Sequence, residues 1–347
     1  MEAADVVLGA STQDASLVVL IIAARLFVPL LIPRVPLVIV VALVIDAADQ
    51  TLLATFTEVD TSETGSYQSV DKALDIYYLS IAYLSTMRNW TSHPAFRVAR
   101  FLFYYRLVGV ALFELTDDRL MLLLFPNTFE YFFIAYEIAR LRYEPSRFSA
   151  RFWVLVAAGL WIFVKLPQEY WIHIAKLDFT DTVRDYPAFG VAVVVALVVA
   201  ALVVVFVVIP RLPAPDWSWR VSADPVPSTP GRDRLVAREV LEQVALLTLL
   251  CTIFASILPG IDATGLQIAL GVSAIVLANA AINVAAPPAL LATNLVLVYL
   301  ANALLGERRD FELDIGLFFA FLITTIIWLY DAYRPVYRRR LHRRDAG

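Results

Sequence analysis

The sequence predicts an all-α, polytopic integral membrane protein of about eleven transmembrane helices, N-terminus outside and C-terminus cytoplasmic. Three observations predict it. The chain of 347 residues is 60% hydrophobic with a mean hydropathy of +0.71, above the roughly half-apolar make-up of a soluble domain. Segment after segment reaches the ~20 apolar residues that cross a bilayer. Arginine is also concentrated in alternate turns, the pattern that orients membrane helices.

Spans are expected near 16–32, 36–56, 69–88, 95–115, 119–140, 151–177, 187–209, 236–258, 263–283, 288–305 and 313–332. The first carries Arg25 and meets the second across a short turn at 31–37. In the second, Asp46, Asp49 and Gln50 lie at i, i+3, i+4 and share a face. The third carries the stripe Asp71, Asp75, Tyr78, with Lys72 one step round. The fourth holds Arg106 and Glu114, and the fifth places Asn127, Glu130, Ile134 and Glu137 on one face. In the sixth, Trp161, Lys165, Glu169, His173 and Lys176 recur at helical spacing. The seventh is almost wholly Val and Ala.

Residues 210–235 interrupt the pattern with Pro210, Pro213, Pro215, Pro225, Pro227 and Pro230, which exclude a continuous helix. They read as a semi-rigid cytoplasmic linker, with Trp217 and Trp219 as anchors if the segment docks a partner. The chain thus divides into an N-terminal charged bundle (1–209), the linker, a C-terminal apolar bundle (236–333) and a basic tail (334–347). The single cysteine, Cys251, sits in the apolar eighth span and is expected to be a packed core thiol. In the ninth span Gly265, Gly271, Ser273, Ala274, Ala278 and Ala281 permit close helix approach. Asn279, Asn283, Asn294 and Asn302 are placed to hydrogen-bond across the Pro287-Pro288 turn. The C-terminal bundle is the expected scaffold and homo-oligomer surface.

Orientation follows from the loops. Arg34, Arg88/Arg97/Arg100, Arg140/Arg142/Arg147/Arg151, the 211–238 stretch and the arginine-rich tail fall on one side. Glu58/Asp60/Glu63, Asp117/Asp118 and Asp178/Asp181/Asp185 fall on the other. Arginine predominates among the basic residues, Lys72, Lys165 and Lys176 being the exceptions. With the richness in Ala and Val this suggests a GC-rich prokaryotic genome, and hence the plasma (inner) membrane. The acidic start, MEAADVVLGA, does not read as a cleavable signal peptide. A net charge of −4 gives no sign of a nucleic-acid partner.

Charges within apolar spans mark functional sites, because each costs several kcal/mol in hydrocarbon unless paired or hydrated. Here they are Arg25, Asp46, Asp49, Lys72, Asp75, Arg106, Glu114, Glu130, Glu137, Lys165, Glu169 and His173, all in the first half of the chain. From the ~1.5 Å rise per residue, Arg25, Asp46, Arg106 and Glu130 lie roughly 12–17 Å from the cytoplasmic ends of their helices. Two buried structural pairs are expected, Arg25–Asp46 and Arg106–Glu130, with removal of both members of a pair near neutral. Asp49, Asp75, Lys72, Lys165, Glu169 and His173 are the candidate substrate- or ion-binding residues. They are expected to line a cavity open to the outside, suited to a proton, a cation or an amine. Pro29, Pro126 and Pro167 each deprive a helix of a hydrogen bond beside Arg25, Glu130 and Lys165.

No HExxH, GxSxG, Walker A or CxxC pattern occurs. The enzymatic alternative rests on Asp46, Asp49, Asp71 and Asp75, four carboxylates able to hold Mg²⁺ against a diphosphate. Their order, DxxD then DxxxD, is similar to that of the CDP-alcohol phosphatidyltransferases, which would imply a cytoplasmic metal-dependent lipid-phosphate site. The likeness is confined to Asp46–Asp75; Gln50 stands where that family has glycine, and its following Ala-Arg pair is absent. The sequence does not identify the chain as a member. Three readings follow. The first is an ion- or proton-coupled permease without a cofactor. The second is a lipid- or isoprenoid-phosphate enzyme using Mg²⁺, with Lys72 and Lys165 on phosphate. The third is a membrane scaffold or sensor. Membrane lipids are partners in all of them. Convergence of the four aspartates would favour the enzyme; a mid-membrane cavity between the second, third and sixth spans would favour the transporter.

Overall fold

The computed structural model describes residues 15–56, 67–171, 179–203, 206–207, 209–211, 213–223, 236–258, 261, 263–282, 286–305 and 312–345. Among the described residues every regular element is a helix. In chain order these are α1 (Ala15–Phe27), α2 (Val38–Phe56), α3 (Tyr67–Asn89), α4 (His93–Thr116), the short α5 (Leu120–Leu124), α6 (Thr128–Arg140) and α7 (Ala150–Glu169). There follow α8 (Phe179–Asp185), α9 (Pro187–Val203), α10 (Ala237–Ile257), α11 (Gly265–Ile282), α12 (Pro287–Leu305) and α13 (Leu313–Asp345). Among the described residues five helices are long and apolar enough to cross a membrane: α7, α10, α11, α12 and the Leu313–Leu341 stretch of α13.

The centre of the bundle is α3, whose residues are buried without exception from Ala73 to Met87. It packs against α1, α2, α4, α6, α10 and α13. Such a position normally demands a wholly apolar helix, yet α3 carries Ser80, Ser85 and Thr86 there. Each hydroxyl donates to a carbonyl of its own helix, at 2.7, 2.7 and 2.6 Å. That satisfies the group without a partner from outside. Tyr83 stacks on Phe103 of α4 at 4.5 Å, and one hydrophobic core runs from Ile32 to Tyr337. The two halves of the chain therefore share a core, with α10 and α13 closing over α3.

Of the eleven expected spans, the sixth and the eighth to eleventh are matched by these five helices among the described residues, and two segments also differ in shape or extent. The 119–140 segment is not one helix but α5 and α6, separated at Phe125–Asn127. Pro126 cannot donate, so the backbone turns there. The last helix runs past its apolar stretch to Asp345, carrying most of the basic tail with it. Arg340 donates to the Trp90 and Arg88 carbonyls at 2.6 and 2.8 Å, and Arg338 meets Glu239 at 3.0 Å. These bonds hold the tail as helix against the α3–α4 turn.

The same end of the bundle gathers the other arginine-bearing turns. Arg88 donates to the Pro33 carbonyl, and the Ala223 amide donates to the Arg34 carbonyl at 2.9 Å. Residues 213–223 lie against the turn that follows α6. Trp217 Nε1 donates to the Arg140 carbonyl at 3.1 Å, Arg140 Nη1 to the Ser222 carbonyl at 3.3 Å, and the Asp216 amide to the Arg142 carbonyl at 3.0 Å. The Glu144 amide and the Arg147 guanidinium hold the Asp216 carboxyl below the usual carboxylate range. Trp217 is thus docked within the chain, whereas Trp219 stays exposed under the Arg142 guanidinium.

In the C-terminal half, Asn279 Nδ2 donates to Asn294 Oδ1 at 2.7 Å, and Asn294 Nδ2 to Thr324 Oγ1 at 2.9 Å. The first bond ties α11 to α12 as the asparagine spacing suggests, and the second adds α13 through Thr324, which that spacing does not imply; Asn283 lies outside the described residues. Cys251 is buried in the core.

Gly109 marks the closest approach to the α5–α6 break, since a Cβ there would stand 2.1 Å from Phe125 Cβ. Gly109→Ala is expected to destabilise the fold by ~1–3 kcal/mol through overpacking. Gly159, with open space around it, should accept alanine without loss. Thermal unfolding of the two variants in detergent checks this, and equal melting temperatures would refute the packing argument.

Candidate functional site

The site begins with Arg25, in the last turn of α1 just before the Val28–Leu31 turn. Its guanidinium is buried, with 3% of the residue exposed, so each of its N–H donors requires an acceptor. Helix spacing supplies them in two pairs. Asp46 and Asp49 share the inner face of α2, and Asp71 and Asp75 the facing side of α3. Arg25 Nη2 donates to Asp46 and, at 2.6 Å, to Asp75. Arg25 Nη1 donates to Asp49 and, at 2.6 Å, to Asp71. Lys72 Nζ reaches the remaining Asp71 oxygen at 2.8 Å. One planar fork thus joins four carboxylates, a geometry that lysine could not reproduce.

Sequence spacing predicted the Arg25–Asp46 pair. It did not show that Asp49, Asp71 and Asp75 close on the same guanidinium. Carboxylate oxygens of Asp46, Asp49 and Asp71 lie within 4.8 Å of one another, close enough to share a metal ion. Arg25 already engages all three residues.

A second cluster adjoins the first through α3. Tyr78, one turn beyond Asp75, donates to Glu130 Oε1. Asn127 Nδ2 donates to Glu130 Oε2 at 3.2 Å, and the Asn127 amide donates to Glu169 at 3.3 Å. Lys165 Nζ donates to Gln168 at 3.1 Å and stands 4.3 Å from the Tyr131 ring centre. Its charge is within electrostatic reach of Glu169, Glu130 and Asp75. Arg106 donates from Nη1 to the Phe125 carbonyl at 3.1 Å, while its buried Nε and the buried Asn127 Oδ1 have no hydrogen-bond partner among the described residues. No ion pair joins Arg106 to Glu130 among the described residues. The break at Pro126 exposes the Phe125 carbonyl, which takes the guanidinium instead.

The local backbone explains why the charges meet here. The break between α5 and α6 leaves the Phe125 carbonyl and the Asn127 amide without helical partners, and Arg106 and Glu169 satisfy them. On α7, Pro167 removes a donor, and residues Leu160–Lys165 form a π-helical turn. Such turns recur at functional sites. This one interrupts the expected Trp161–Lys165–Glu169 stripe: Trp161 meets the Tyr105 ring while Lys165 turns to Tyr131. His173 lies outside the described residues.

Asp49, Asp75, Lys165 and Glu169 are buried rather than lining an open cavity. They fall in two connected clusters that follow one another along the Asp71–Asp75–Tyr78 stripe of α3. Glu137 stands apart, bonded to Trp90 Nε1 at 2.8 Å and Arg140 at 2.6 Å, and Glu114 accepts from Ser256 at 3.4 Å.

A third network escaped the sequence reading. Glu239 and Glu242 open α10. Glu239 meets Arg334 at 3.3 Å and Arg338 at 3.0 Å. Glu242 meets Arg334 and Arg100, each at 3.3 Å, and accepts from Tyr83 at 2.6 Å. The signal was available as Glu239-x-x-Glu242 facing Arg334-x-x-x-Arg338, both at one-face spacing. It was overlooked because the residues sit at the ends of otherwise apolar spans.

Arg25→Ala is expected to cost ~3–5 kcal/mol, since it removes the guanidinium that the buried Asp49 and Asp75 and the partly buried Asp46 and Asp71 share. Adding Asp46→Ala should restore only part of that, because Asp49, Asp71 and Asp75 keep their charges. Arg25→Lys should fail to restore it. Thermal melts with size-exclusion profiles test the series; full recovery in the double variant would reduce the site to a simple pair.

Protein families, curated proteins and solved structures offer no match to this chain, so its function is argued from the arrangement of these side chains.

Proposed function

We propose that the chain is a multi-pass membrane transporter that couples to protons or to a small cation such as an amine. The observation that carries this reading is a charge imbalance. The two joined clusters hold the carboxylates of Asp46, Asp49, Asp71, Asp75, Glu130 and Glu169. Against them, among the described residues, stand Arg25, Lys72, Arg106 and Lys165. Net negative charge in a low-dielectric interior costs several kcal/mol unless it is neutralised. The network therefore holds protons or a cation in its resting form.

Arg25 serves as the built-in counter-cation. When a proton or an ammonium group binds Asp46 or Asp75, the guanidinium loses part of its hold on α2 and α3. The α1–α2 hairpin then moves against α3. The broken α5–α6 segment and the π-turn of α7 flank the second cluster, where discontinuous helices present backbone groups to ions in transporters.

Proteoliposomes loaded with a pH dye, energised by a potassium diffusion potential and supplied in turn with a panel of primary and quaternary amines, test the activity. Expected is potential-driven proton or amine uptake that Asp75→Asn abolishes. Glu169→Gln should remove its pH dependence while leaving the protein folded and inserted. Uptake equal to that of empty vesicles, or unchanged in both variants, would overturn the proposal.

The bilayer placement behind it has its own support. The arginine-bearing turns gather at one end of the bundle, joined through Arg34, Arg88, Arg140 and Arg340, while Asp117 and Asp118 close the far end of α4. With about eleven spans, the N-terminus lies outside and the arginine end faces the cytoplasm of a prokaryotic inner membrane. Asp118→Cys should react with an impermeant thiol reagent on intact cells and Ser146→Cys should not; the reverse pattern would invert the topology.

A second reading has the convergence of the four aspartates in its favour: Asp46, Asp49, Asp71 and Asp75 meet at one point, with the Asp46, Asp49 and Asp71 oxygens within 4.8 Å of one another, although the Arg25 guanidinium occupies that point. An Mg²⁺-dependent lipid-phosphate enzyme would place its ion there, with Lys72 toward a phosphate. The donor set suits Mg²⁺, but Arg25 must first withdraw from it. Millimolar Mg²⁺ raising the melting temperature of the native chain, but not of Asp49→Asn, would favour this reading over transport.

A further inference from the structure

We infer that α4 carries a binding groove for a lipid with an anionic, phosphate-bearing headgroup, on the arginine side of the membrane. The inference rests on the bilayer placement of α4 but not on transport.

The groove, of about 480 Å³, follows one face of α4 and is capped by Phe125. Its floor reads Arg97, Arg100, Phe101, Tyr104, Tyr105 and Val108, a continuous stripe at helical spacing. The composition changes along that stripe. Both charges lie in the N-terminal third of α4, toward the end where the arginine-bearing turns gather. Beyond them the surface is aromatic and aliphatic, and Phe101 and Val108 are exposed at 57% and 38%. Polar at one end and apolar along its length, the groove matches the two parts of a lipid.

Its dimensions fit the same occupant. From Arg97 to Val108 the helix rises ~16 Å, about half the ~30 Å hydrocarbon core and so the depth of one leaflet. A headgroup at the arginines would leave its chain lying along Phe101 and Val108 to the bilayer centre.

The charges favour phosphate. Arg97 is exposed and makes no ion pair among the described residues. Arg100 approaches Glu242 at 3.3 Å but remains partly exposed, and Glu242 is also engaged by Arg334 and Tyr83. Glu242 thus offsets Arg100 only in part and leaves Arg97 untouched. Basic pockets between helices on the cytoplasmic side are where anionic headgroups bind.

Native mass spectrometry of the detergent-purified full chain tests this, using phosphatidylglycerol against phosphatidylcholine with identical acyl chains. Expected is preferential retention of phosphatidylglycerol. Arg97→Gln should cut that preference roughly fivefold, and Arg97→Gln with Arg100→Gln roughly thirtyfold. Val108→Trp should weaken both lipids together by filling the apolar part. Because Arg100 also meets Glu242, Arg97→Gln alone, with an unchanged melting temperature, is the decisive variant. Equal retention of the two lipids, or a preference unchanged by Arg97→Gln, would overturn the proposal. So would a Val108→Cys variant that cross-links to a second copy in native membranes and excludes lipid.

Discussion

The rest of the structure depends on one guanidinium. Arg25 lies where no water is needed to satisfy it, because α2 and α3 each present two carboxylates at the spacing of one helical turn. A buried arginine with a single partner would leave most of its donors idle and would be weak evidence for anything but packing. Four partners on two helices make the fork the joint of the α1–α3 corner. Under the proposed function, the excess of acids around it is what would let a bound proton or cation loosen the joint.

The second cluster shows how a broken helix becomes useful. A proline inside a buried segment leaves backbone groups that hydrocarbon cannot satisfy. Here the Phe125 carbonyl receives Arg106 and the Asn127 amide finds Glu169. The fault in the helix and the charges nearby thus answer one another. Glu130 is consequently released from Arg106 and bonds Tyr78 instead, which connects the cluster to α3.

Much of this was legible in the residues. The helical class, the Arg25–Asp46 contact and the Asn279–Asn294 bridge follow from hydropathy, spacing and hairpin geometry. So does the joining of the arginine-bearing turns at one end. What spacing along one helix cannot give is which faces meet. The Arg106–Glu130 expectation failed because matching depth says nothing of the carbonyl that Pro126 frees. Asp71 and Asp75 were recognisable as a stripe, but only the packing of α3 against the α1–α2 hairpin turns that stripe toward Arg25. The π-turn of α7 sends Trp161 toward Tyr105 of α4, whereas Lys165 stays beside Glu169 in the second cluster. Glu239 and Glu242 show the converse case, a one-face pattern that lies at the end of an apolar run.

The enclosure of α3 has a consequence for biogenesis. Tyr83 finds its acceptor at Glu242, and the Trp90 carbonyl finds its donor at Arg340. Contacts so distant in the chain form late, because the intervening polypeptide must be made before they can close. While α10 and α13 are still being synthesised, the hydroxyl-bearing flank of α3 is bare, and a nascent chain halted before them would expose it to insertases and quality-control proteases. Maturation of the N-terminal half is thus timed by the emergence of the C-terminal one.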